Sequence, residues 1–444
     1  MRIILTLLLA ATAMNAAAAT YYVATNGNDA NNGTQSAPLL TIGEAVDRVA
    51  AGDTVYVASG TYNEAVYIAD KAGQSGSIIR FAGYGTTLPV IDAAGKSASA
   101  AVGIARSSYI LFENFEVKNG AMGIYVRDSH HVEIRDNQVH DCTSNGIYAA
   151  TASASAFGTT NNVTIAENSV YHCVLSNLNG AAQDWAQGIS ALRATDVKIV
   201  DNYVYENWGE GIDYILSDNG LISGNKVWDN WTANVYLDNA QGTVVDKNFI
   251  SCANSTYYRD GAPAAGIATA NEEYDVPNPL DELTISNNVV TRCESGFYYR
   301  DSEDGGGLHD TVVAHNVFYN TTYALIWIKD AEDGSHVHSN VLVANNIFYQ
   351  KYGKPYASSA TVGITYQYNN WYGGGDAQTI IQGSNDVLQD PKLVDAGGGD
   401  REDYMLLSTS PLRDTGTTTS VTKDAFGVTR AGRGTAYDIG IHEY

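Results

Sequence analysis

Tyrosines, acids and cations recur two and four positions after a Gly-aliphatic pair along much of this 444-residue chain. Tyr125 and Arg127 follow Gly123-Ile124, Asp213 follows Gly211-Ile212, and Tyr298 and Arg300 follow Gly296-Phe297. Tyr236 and Asp238 occupy the same offsets after Asn234-Val235, as do Trp327 and Lys329 once the register is slid by one. Strand alternation puts all of them on one outward face, densest between Asp213 and Lys329. Two chemistries suit such a stripe. Eliminative cleavage of a uronate glycan needs a cation to neutralise the carboxylate, a base for the C5 proton and an acid for the leaving oxygen. Arg300 or Lys329 fills the first role, and Tyr236 or Tyr298 the others, since a neighbouring cation lowers a phenol pKa. Hydrolysis instead needs two carboxyls. Asp213 pairs with Asp238 or Glu210, and one strand spacing plus two residues of rise sets the aspartates roughly 8 Å apart, an inverting distance. Tyr125, Arg127, Glu210 and Trp327 are then substrate contacts. Glu206 and Asp229 share a separate column about 5 Å apart, where like charges shift a pKa or bind a cation such as Ca2+. Plain alternatives stand beside these: tyrosine is a good strand former, and paired acids on an acidic protein are often only solvated.

A repeat must position this stripe. An aliphatic residue, two others, Asn, one other and a second aliphatic residue recur with Asn at 137, 168, 202, 225, 248, 288, 316 and 346, and Phe115 holds the preceding slot. Successive slots are 22 to 40 residues apart. The shortest is the bare unit, and longer ones carry insertions, notably Thr151–Thr160, Asn179–Ala186 and Cys252–Pro279, which can wall the stripe. Units of this length form solenoids, in which each buries its apolar edge only by stacking on neighbours. Strands of β-branched and aromatic residues, with Asn and Gly at corners, predict an all-β right-handed parallel β-helix of about ten coils. The corner Asn side chains should hydrogen-bond along the axis as a ladder. Tyr171, Tyr205 and Trp228 share one aromatic column, and Trp208 and Trp231 another. Both suit sugar faces or ordinary ladder packing.

Composition agrees. The chain holds 36 Asn, 43 Gly and 30 Tyr but only 8 Pro, as many short strands and tight turns require. With 25 basic and 49 acidic residues its net charge is −24, which excludes a nucleic-acid partner and repels polyanions. Met1-Arg2, the apolar run Ile3–Ala13 and Ala17-Ala18-Ala19 form a signal peptide, so secretion of a soluble monomer without a membrane span is expected. Cys142/Cys173 and Cys252/Cys293 then fall on neighbouring coils of an oxidised protein, as disulfides or as buried thiols. The expected organisation is a signal peptide (1–19), an N-terminal cap with first coils (20–108), β-helix repeats (109–370) and a C-terminal cap (371–444). Thr41-Ile42-Gly43-Glu44 reads as a capping box ahead of a short helix over Ala45–Ala51.

The run Tyr21-Tyr22-Val23-Ala24, Asn26-Gly27-Asn28-Asp29, Thr41-Ile42 and Gly52-Asp53-Thr54-Val55-Tyr56-Val57 resembles the N-terminal cap of family-nine pectate lyases. The end of the chain, Ser410-Pro411 through Asp438-Ile439-Gly440 and Glu443-Tyr444, resembles the closing segment of bacterial β-helix proteins. The resemblance implies calcium held by an aspartate-rich run and a lysine base. Here the corresponding run is Gly209-Glu210-Gly211-Ile212-Asp213-Tyr214, with Gly209 and Gln187 in aspartate slots and Tyr236 in the lysine slot. It implies a secreted polysaccharide lyase of altered chemistry. A glycoside hydrolase and a non-catalytic glycan-binding protein are the alternatives.

Overall fold

The computed structural model describes residues 17–181, 184–274, 280–301, 306–329 and 338–444. Most of the expected leader therefore lies outside the described residues. Three parallel sheets of 13, 11 and 12 strands run the length of a β-helix, more coils than the ten expected. Each coil contributes one strand to each sheet. Inward positions stack as aliphatic columns: Ile165, Ile199, Ile222, Val245, Ile285, Val313 and Val343 pair in register and are fully buried.

The Asn ladder forms. From Asn137 to Asn346 each side-chain Nδ2 donates to Oδ1 of the next ladder Asn at 2.9–3.1 Å, and the last acceptor is Asn369, one coil beyond the repeat read from sequence. The residue before each ladder Asn takes positive φ, 56° at Asp136 and Asp201 and 61° at His315, which swings the Asn into the interior. At the Asn225 corner this residue is Gly224, where an added Cβ would sit 2.2 Å from Asp201 Oδ1. A shorter ladder, Asn207 to Asn230 to Asn234, lines a second corner. It ends where Asn234 Nδ2 donates to Cys252 Sγ, and Cys252 is disulfide-bonded to Cys293. Cys142 and Cys173 are buried free thiols, so one cysteine column follows each of the two expected readings.

The capping helix spans Ile42–Arg48, starting earlier than the sequence suggested. Thr41 Oγ1 accepts from Glu44 N, but Glu44 pairs with Arg48 instead of closing the box. Asp29 accepts from Thr41 N and Leu40 N, and Glu64 caps Ile42 N and Gly43 N. The C-terminal segment differs more. Instead of only plugging the last coil, residues from Leu393 onward lie along the flank. Tyr404, Leu412 and Ile439 pack there on Phe249, Val289, Val317 and Ile347. Lys226 meets Asp400 at 3.0 Å, Asn287 donates to Lys423 O, and Asn345 donates to Thr417 O. Arg430, fully buried, donates to Asn287 and pairs with Glu443 at 3.2 Å.

Candidate active-site cleft

The outward face of the 11-stranded sheet carries the stripe in the register expected. Ser190, Asp213, Tyr236, Ala268, Tyr298 and Trp327 are successive partners in one column. Two residues further along the strands, Ile215, Asp238, Ala270 and Arg300 form the next. Asp213 and Asp238 thus stand on adjacent strands, offset by two residues. Two insertions wall the face. Trp185 arrives from the Asn179–Ala186 insertion, and Arg259 and Tyr274 from Cys252–Pro279, whose residues 275–279 lie outside the described chain. Between them is a cleft of about 700 Å³ lined by Glu210, Asp213, Tyr236, Asp238, Tyr298 and Arg300 from the stripe. Its floor is small: Ala233, Ala265 and Ala268, flanked by Tyr236 and Tyr298. Gly266, within that floor strand, has no room for a Cβ, which would meet Val290 at 2.2 Å. Thr151–Thr160 does not line the cleft.

Outward-facing carboxyls are normally wet, yet Asp213 is 2% and Asp238 4% exposed. Each keeps one oxygen, Oδ1, buried without a hydrogen-bond partner. Tyr274 donates to the other oxygen of Asp238. Burial, then Asp238, Glu210 and Glu272, push the Asp213 carboxyl well above the carboxylate range. Burial and Glu272 lift Asp238 to about 7, and burial also raises Glu210 and Glu294. Glu272 is the organising anion: Tyr236 Oη donates to its Oε1 at 2.5 Å, and Arg300 pairs with the same oxygen.

This arrangement corrects the tyrosine-base expectation. Arg300 does lower the Tyr236 pKa, but burial, Asp238 and Glu272 raise it further, so the phenol keeps its proton. Arg300 is likewise no longer a free cation for a substrate carboxylate. Other predicted contacts are spread out. Trp327 stacks on Tyr298 with centroids 4.4 Å apart, extending the aromatic wall beyond the cleft, and Lys329 lies over Trp327 at 5.5 Å. Tyr125 and Arg127 are three strands from Asp213, Tyr125 stacked on Tyr148 and Arg127 beside Asp128. Glu206 and Asp229 sit at positive-φ corners with protein donors. Asp229 accepts from Ala253 N and Asn254 N, and Glu206 from Asn254 Nδ2, with His172 3.3 Å away. The aromatic column packs flat, Tyr205 on Trp228 at 4.3 Å and 3°.

The aspartate slots of the expected calcium run are held by Gly209 and Gln187. Gln187 turns its amide nitrogen, a donor, toward Glu210 Oε2 at 3.5 Å. Among the described residues no three His, Cys, Asp or Glu are arranged to hold a metal ion.

Coils of this hand and pairing, with a lateral cleft of buried carboxyls, define a right-handed parallel β-helix protein. The chain belongs to the Pel9A-like right-handed β-helix family, whose model matches residues 21–242, while a general right-handed β-helix model matches 160–342. Uncharacterized protein YwoF of Bacillus subtilis is 32% identical over 133 residues, 27% of this chain and 28% of that protein. Pectate lyase PEL9 of Emericella nidulans is 33% identical over 126 residues, 25% of this chain and 31% of that protein. The matched stretch therefore spans under a third of either relative. The solved structure of pectate lyase Pel9A superposes with a TM-score of 0.57 over 96% of this chain and 97% of that one, at 19% identity, a shared fold.

Proposed function

We propose that the protein is a polysaccharide-active enzyme that hydrolyses glycosidic bonds with the Asp213–Asp238 pair. The observation that carries this is two outward-facing yet buried carboxyls on adjacent strands, each with an unpartnered oxygen in one cleft. Asp213, which burial and the neighbouring acids hold well above the carboxylate range, is the proton donor to the leaving oxygen. Asp238, near 7 and hydrogen-bonded in its ionised form by Tyr274, is the base that activates water. Tyr236 and Tyr298 flank the sugar ring over the alanine floor, and Arg300 holds Glu272 and Tyr236 in place. Secretion as a monomer accompanies this reading: the Cys252–Cys293 disulfide suits an oxidising compartment. Among the described residues no helix is long and apolar enough to cross a membrane.

Reducing ends released from a panel of glycans, with the anomer followed by NMR, test the reading. Inversion and a loss of about 10²–10⁴-fold in kcat for Asp213→Asn and Asp238→Asn are expected. Unchanged kcat in both variants would refute it. β-Elimination of a uronate glycan is the second reading, favoured by the family's pectate lyase members. Its signature is an unsaturated, ultraviolet-absorbing product, which hydrolysis never yields.

A further inference from the structure

The cleft is unbalanced in charge. Glu210, Asp213, Asp238, Glu272 and Glu294 line it against Arg259 and Arg300. Arg300 is already paired with Glu272, and Arg259 lies between Trp185 and Trp231, 5.1 Å from each ring. Glu210, Asp213 and Asp238 share two adjacent strands. Glu294 precedes a strand three from that of Glu210 and Asp213, about 14 Å at the strand spacing, and two from that of Asp238. The acids are thus spread along the groove and are not one cage. Asp213 and Asp238 line this space, and each keeps one buried oxygen, Oδ1, without a hydrogen-bond partner. A cation is the ligand that satisfies such atoms and relieves the repulsion among them. Calcium needs several oxygens converging at about 2.3–2.6 Å, an arrangement missing among the described residues. An ammonium accepts looser geometry, donating three hydrogen bonds at about 2.8 Å in separate directions. Tyr236 and Tyr298 border the alanine floor, and Tyr298 packs on Trp327 with centroids 4.4 Å apart, giving the cleft an aromatic side of the kind that borders sugars.

We propose that the glycan bound here is a polymer of amino sugars with free, unacylated amines, its ammonium groups held by Glu210 and Glu294 on either side of the Asp213–Asp238 pair. This rests on reading the cleft as a glycan site. The net charge of −24, which repels polyuronates, draws such a polycation toward the groove. Binding must also displace protons. Glu210 is raised by burial and faces Asp213, Asp238 and Glu272, and an ammonium beside it favours its ionised form.

Titration calorimetry of the whole protein with oligomers of glucosamine, N-acetylglucosamine and galacturonate tests this. The amine oligomer should bind at least about tenfold tighter than either other, as one charge-assisted contact implies. Its affinity should fall with salt, and its binding heat should vary with the buffer as protons are released. Glu210→Gln and Glu294→Gln should each weaken the amine oligomer about tenfold. If a variant fails to fold, the salt and buffer dependence of the native protein still decides. Equal or tighter binding of the N-acetylated or uronate oligomer overturns the proposal, as does salt-insensitive binding of the amine. Binding of the amine oligomer without turnover leaves the proposal standing and sinks hydrolysis, whereas inverting cleavage of an uncharged glycan does the reverse.

Discussion

Replacing Asp238 by Asn should stabilise the protein at neutral and alkaline pH while abolishing turnover. Its carboxyl has a pKa of about 7 in the fold against 3.8 in an exposed chain. That difference corresponds to about 4 kcal/mol. A group raised in the folded state contributes its full stability below the unfolded value and loses it as pH rises through the folded one. The native protein should therefore lose stability progressively from about pH 4 to about pH 7 on this account alone. In Asp238→Asn the new amide keeps the Tyr274 contact and carries no charge, so that loss disappears. The substitution also removes repulsion on Asp213, which lowers the Asp213 carboxyl toward its ordinary range. Urea unfolding of both proteins across this range reads the effect directly. The two curves should diverge as pH rises, with the variant the more stable by a few kcal/mol at neutrality. Parallel curves would show that Asp238 ionises without penalty, and the assignment of base and acid from burial would fall with it.

Other expectations concern the frame and the cleft. Asn225→Ala leaves Asn202 N buried without its acceptor and takes one donor from Ile199 O, and should cost about 1–3 kcal/mol in chemical unfolding. Arg300→Met frees Glu272 and Tyr236, so kcat/KM should drop at least about tenfold with little change in melting temperature, since Arg300 is half exposed. Reduction of Cys252–Cys293 should cost about 2–4 kcal/mol. In the native protein Cys142 and Cys173 should resist alkylation until unfolding exposes them.

The frame was legible because each corner repeats one physical demand. A left-handed residue followed by an inward Asn recurs from coil to coil, and the spacing of those Asn set the register that aligned Asp213, Tyr236, Tyr298 and Trp327. Asn369 escaped notice because Tyr366 and Trp371 stand where the pattern has aliphatic residues. The cleft was legible only where it belongs to the strands. Glu272, Tyr274 and Arg259 belong to the Cys252–Pro279 insertion and Trp185 to the Asn179–Ala186 one, outside the repeat that dictates register. Missing the burial of Tyr236 and the place of Glu272 reversed the sign of the tyrosine argument: Arg300 lowers the phenol pKa, but burial, Asp238 and Glu272 together outweigh it. The length of the insertions and the acidic pair Glu272-Glu273 beside Tyr274 were the available signals.

The flank-lying C-terminal segment alters how the rod should come apart. A plain solenoid has only nearest-neighbour interfaces, so coils can peel from an end one after another. Here Lys226, Asn287, Arg292, Tyr319 and Asn345, spread over several coils, all bond the same returning segment. That segment acts as a splint: no coil between Lys226 and Asn345 can open without releasing it, and its release exposes all of them together. Pulling on the C-terminus should therefore give one large rupture event in place of a staircase of small ones, and the cleft, built on those same coils, is kept rigid from behind.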